Sequence, residues 1–76
     1  MAYGYSQGLI ERNRQASDLR LGVRLGRVCI EKMVPVTVVA NEFKVTRQTV
    51  YNWFSGVSNP AETLHTRIAT YIAKLA

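Results

Sequence analysis

The chain has one cysteine, one histidine, two prolines and five acidic residues in 76 positions. A single cysteine, Cys29, excludes an internal disulfide and fits a reducing interior, where it is expected to pack as a small apolar residue. His65 stands alone, with no second histidine or nearby cysteine to complete a metal-ligand set. The usual marks of catalysis are missing too: there is no carboxylate pair at a working spacing and no glycine-rich phosphate loop. Enzymatic activity, a metal, a cofactor and a small-molecule substrate are therefore not expected of a domain this small. No apolar run approaches the roughly 20 residues of a membrane span, and the first residues form no apolar signal segment. The expectation is a cytoplasmic protein.

What the chain does have is apolar surface and positive charge. A hydrophobic content of 47% is ample for a packed helical domain and too high for disorder. One domain of this length buries only about 60% of the surface its unfolded chain exposes, so its core must be efficient. Ten Lys and Arg against five Asp and Glu leave a net charge of +5 and a pI near 9.9. That balance favours polyanions, with phosphate backbones the commonest partners.

The periodicities divide the chain into residues 1–16, read as a flexible basic N-terminal arm, and residues 17–76, an all-α domain. Met1 to Gly8 holds two Gly and two Tyr with no sustained period, and the following LIERNRQ suits a basic arm as well as a helical turn. A helix is expected from Ser17 or Asp18 to about Met33, with Leu21, Leu25, Val28 and Cys29 buried. Arg20, Arg24 and Arg27 lie beside that face, divided between solvent and backbone contacts. Gly22 and Gly26 each cost a helix about 1 kcal/mol relative to Ala. Their spacing points to a close helix approach.

Pro35 to Phe43 is a harder segment, because four consecutive β-branched residues favour a strand locally. A lone strand between helices would leave its backbone unpaired, whereas Val39, Ala40 and Phe43 share one helical face and Pro35 suits a first turn. A short helix is therefore expected. Lys44 and Val45 make a tight turn, Thr46 caps a helix over residues 46–55, and Gly56 ends it. Asn59-Pro60-Ala61-Glu62 reads as the start of a last helix, which turns Leu64, Ile68, Ile72 and Leu75 inward.

The two central segments together have the spacing of a helix-turn-helix. Ala40 is small where the helices cross, Val39 and Phe43 face the core, and Val45 plugs the turn. Val50 and Trp53 anchor the second helix from below. At about 100° per residue, its opposite stripe is Arg47, Gln48, Tyr51, Asn52 and Ser55. Those side chains include the types that read base edges, since Arg pairs with guanine and Gln or Asn with adenine.

From Leu21 to Leu75 the chain resembles the Cro and phage-repressor-like (XRE-type) helix-turn-helix proteins. The resemblance rests on Leu25, Val28 and Val34 in the first helix and its exit, and on Ala40, Val45, Thr46, Val50, Trp53, Gly56 and Pro60 beyond. It implies a compact four- to five-helix, lambda-repressor-like fold. It also implies base contacts from Arg47, Gln48 and Asn52, with Tyr51 reaching either bases or the sugar–phosphate backbone. Phosphate contacts are implied for Thr46, Ser55, Gly56, Ser58 and Asn59, to which the turn cation Lys44 and the arm residues Arg12 and Arg14 are added.

The sequence departs from the family at Lys44, where Gly is usual, and at Phe54, usually polar and expected to be partly exposed. Only one helix follows Pro60, where family members often have two. TRQTVYNWF is also similar to modules of transposases and recombinases. The expected function is that of a sequence-specific duplex-DNA-binding regulator, a small repressor acting as a homodimer. The dimer surfaces considered are Tyr71 with Leu75, and Tyr3 with Tyr5. The alternatives are a recombination, transposition or packaging accessory, and a protein-interaction module acting on polymerase or another regulator, the latter supported by Phe54 and the arm tyrosines.

Overall fold

Two glycines one helical turn apart set the centre of the fold. In the computed structural model, which describes residues 5–76, they lie on helix α2 (Leu21–Glu31) and are both buried. A Cβ on Gly22 would stand 2.8 Å from Trp53 Cβ, and one on Gly26 would stand 2.6 Å from the Phe54 ring. Only bare backbone lets α2 come that close to helix α4 (Arg47–Phe54). Around α2 pack α4 on one side and α5 (His65–Leu75) on another, while α3 (Val36–Phe43) packs on α4. The described residues thus form a small all-α domain whose core includes Leu25, Cys29, Val39, Val50, Phe54 and Ile68.

The β-branched segment is helical. Val36, Val39, Ala40 and Phe43 are all buried, at the i, i+3, i+4, i+7 spacing of one helix face, so tertiary burial overrides local strand preference. Pro35 takes the extended cap position just before the helix rather than its first turn. Lys44 then adopts a left-handed conformation, with φ 54° and ψ 47°. Its N–H bonds Asn41 O while the Val45 N–H reaches back to Ala40 O at 3.0 Å, closing α3 in a Schellman motif. Lys44 thus takes the left-handed backbone that a glycine adopts here at no steric cost.

Residues 5–16, expected to form an arm, pack on the rest of the domain, and most of them are helical. Ser6 caps α1 (Gln7–Gln15) through its Oγ, which accepts the Leu9 N–H at 3.1 Å. Tyr5 and Leu9 are buried, the Tyr5 ring lies against Phe54, and its hydroxyl donates to Val34 O at 2.7 Å. Asn13, also buried, donates through Nδ2 to Val23 O at 3.1 Å and to Phe54 O at 2.7 Å. Arg27 Nη2 in turn donates to Asn13 O and Ala16 O at the end of α1. A segment with few apolar residues is thus fixed by Tyr5 and Leu9 in the core, together with polar contacts that the hydrophobic pattern does not register. Tyr3 lies outside the described residues.

Two helix starts come later than expected. Ser17 Oγ accepts the Leu19 N–H in a turn, and α2 begins at Leu21 without a side-chain cap. Pro60 is buried in the loop, Ala61 is extended, and a 3-10 turn at Glu62–Leu64 leads into α5. Phe54, expected to be partly exposed, is fully buried, with the Tyr5 ring against it and α2 approaching it closely at Gly26. The inward face of α5 is as expected: Ile68 and Ile72 are buried, with Leu64 and Leu75 packed against the core.

Candidate nucleic-acid interface

Helix α4 is short, so its orientation depends on its ends and its floor. Thr46 Oγ1 accepts the Thr49 N–H at 3.1 Å and shares a hydrogen bond with Thr49 Oγ1. At the other end Gly56 has φ +80°, and the Gly56 and Val57 N–H groups close on Trp53 O and Asn52 O. Val50, Trp53 and Phe54 are buried beneath it. The Trp53 ring meets Phe43 of α3 edge-on at 6.2 Å. Capped at both ends and anchored by three large side chains, α4 holds its outer face fixed.

That outer face carries the expected stripe. Arg47 and Gln48 are exposed, while Tyr51, Asn52 and Ser55 are half-buried. Gln48 Nε2 donates to Asn52 Oδ1 at 3.0 Å, an i, i+4 pairing that orients both amides. The Gln48 carbonyl oxygen then remains an acceptor and the Asn52 NH2 a donor, side by side on one ridge.

The expected phosphate ligands fare differently from one another. Lys44 and Thr46 are exposed at the start of α4, and Ser58 and Asn59 are exposed beyond its end. Ser55 Oγ donates its proton to Tyr51 O at 2.8 Å, which leaves it an acceptor towards any anion. Gly56 has no donor to spare: its N–H bonds Trp53 O, and its carbonyl accepts Arg20 Nη1 at 3.0 Å. The Val57 and Ser58 N–H groups are likewise held by Asn52 O, at 2.9 and 3.2 Å.

Arg12 and Arg14, both expected on a basic arm, line separate depressions on α1. Arg12 lines a groove of about 400 Å³ between α1 and α4 with Ser6, Leu9, Gln48, Tyr51, Asn52, Ser55 and Val57. Arg14 lines a separate depression with Ile10, Asn13, Arg27, Ile30 and Glu31. The contribution of Ser6 and Leu9 to the flank of α4 was missed in the sequence. The signal available for it was Ser6 three residues before Leu9, a cap followed by the first buried position of a helix.

Burial pushes the Cys29 thiol up to about 12, and it raises the Tyr5 and Tyr71 hydroxyls as well. None of these groups lies on the α4 ridge. The expected dimer residue Tyr5 is buried, and Tyr71 packs edge-on against Phe43 at 5.5 Å. Among the described residues no cluster of His, Cys, Asp or Glu could hold a metal ion, and no helix is long and apolar enough to cross a membrane. Compared with family models, with curated proteins and with solved structures, the chain matches none of them.

Proposed function

We propose that this protein binds double-stranded DNA in a sequence-specific manner and acts as a small transcriptional repressor, with α4 entering the major groove. The observation that carries this reading is the ridge of Arg47, Gln48 and Asn52, exposed or half-exposed on a helix capped at both ends and locked to α3. The acceptor and donor left by the Gln48–Asn52 pair complement the N6 donor and N7 acceptor of adenine, and Arg47 suits guanine. The net charge of +5 gathers the protein onto DNA before any base is read. Lys44, Thr46, Ser58 and Asn59 then fix its register through phosphates.

Repression follows in this reading from occupancy of a promoter by a homodimer whose two copies of α4 lie about one helical turn of DNA apart. The accessory reading, in recombination, transposition or packaging, uses the same ridge and differs in deforming the duplex. Of the features that supported the protein-interaction reading, Phe54 and Tyr5 are both buried. Selection from random duplexes at moderate salt tests the proposal: a palindromic enriched site supports it, and no enrichment contradicts it. A bending assay on the enriched site separates repressor from accessory, since a large kink marks an architectural role.

A further inference from the structure

A duplex that takes α4 into its major groove carries a sugar–phosphate strand past each side of that helix. Along one side of α4 runs the groove shared with α1. Resting on the duplex-binding reading, we infer that this groove seats one sugar–phosphate strand of the bound DNA, with Arg12 and Ser6 holding a phosphate and Leu9, Tyr51 and Val57 carrying the deoxyribose.

The chemistry of the lining supports this occupant. Among the described residues that line it, Arg12 alone carries a charge and none is a carboxylate. The Arg12 Nε donates to Gly8 O at 3.3 Å, which anchors the side chain on α1 and leaves the Nη groups for an anion. Ser6 Oγ accepts the Leu9 N–H and keeps its own proton for an outside acceptor, whereas Ser55 Oγ has already given its proton to Tyr51 O. Val57, a large apolar side chain that lines the groove, is 71% exposed. A deoxyribose is a fitting cover, being apolar on its faces and tied to a phosphate. The groove's volume of about 400 Å³ also lies within the range of ligand-sized pockets, about 300–1,000 Å³.

The two arginines of α1 provide the test, because each substitution removes the same charge from the same helix. Binding to one duplex is measured over a range of salt for the wild type, Arg12→Ala and Arg14→Ala, with helicity checked by circular dichroism. Arg12→Ala is expected to weaken every sequence alike and to lower the slope of log K against log salt by about 0.9, the share of one phosphate. Arg14→Ala is expected to leave the slope unchanged. A second comparison places a carboxylate in the groove by Val57→Glu and on the outer face of α3 by Val38→Glu, and only the first is expected to impair binding.

Equal slopes for the two arginine variants, or equal losses for the two glutamates, would overturn the groove assignment. Where wild-type protein still selects a site and Gln48→Ala relaxes its preference at one base pair, such a result removes the groove alone. Absence of binding to any duplex removes the duplex reading and the groove with it.

Discussion

At the scale of single residues, Gln48 and Asn13 show how amide side chains serve opposite ends. Gln48 is exposed and pairs with Asn52 on the same helix, so its removal costs the fold little. On the proposed reading, Gln48→Ala weakens binding at the selected site by about 1–3 kcal/mol and relaxes preference at one base pair, while random DNA is held as before. Competition binding against single-base variants of the site measures this, and equal losses on selected and random DNA would exclude direct readout. Asn13 is buried, and its Nδ2 serves carbonyls on α2 and α4 at once. No buried polar side-chain atom among the described residues is left unpaired, and Asn13 is part of the reason.

At the scale of elements, α1 is the part that the sequence conceals. Its pattern is too polar for an amphipathic helix, and what holds it lies elsewhere: Tyr5 on Phe54, Asn13 on two carbonyls, and Arg27 on its last turn. A periodicity argument cannot register contacts between residues 41 positions apart, such as Asn13 with Phe54. Tyr5→Ala should therefore destabilise the protein by about 3 kcal/mol or more, the usual cost of truncating a buried aromatic side chain. A urea midpoint unchanged by this substitution would restore the arm.

The pairing of α3 with α4 was legible because it is local and strict: Ala40, Val45, Val50 and Trp53 had to occupy fixed places around one turn. The close approach at Gly22 and Gly26 was legible for the same reason. Gly26→Ala should gain about 1 kcal/mol from helix propensity and lose about 1–3 kcal/mol to the clash with Phe54 and Asn13. The clash prevails, so a lowered melting temperature is expected, and a raised one would mean that the helices can separate at no cost. The starts of α2 and α5 were misjudged because Ser17 and Asn59 carry cap chemistry without capping either helix.

At the scale of the whole molecule, the buried thiol and phenol give stability a pH dependence of definite sign. Cys29 ionises at about 12 in the folded protein against an ordinary 9.0, and Tyr5 is raised in the same direction. The folded state therefore holds protons that the unfolded chain releases. Stability is full below pH 9 and declines as the pH climbs from there towards the folded values. Thermal unfolding followed from pH 7 to 11 should show this decline, and Cys29→Ala should flatten its first part while lowering stability at neutral pH. A melting temperature that rises over this range would contradict the burial of both groups.

The central claim is that the outer face of α4 meets duplex DNA. Titration of isotope-labelled protein with a selected duplex, read by amide and side-chain chemical shifts at moderate salt, addresses it directly. The account expects the largest changes along Thr46 to Asn52, with the Gln48 and Asn52 side-chain amides among them. Changes confined to α5, or none in α4 on saturation with DNA, would contradict it.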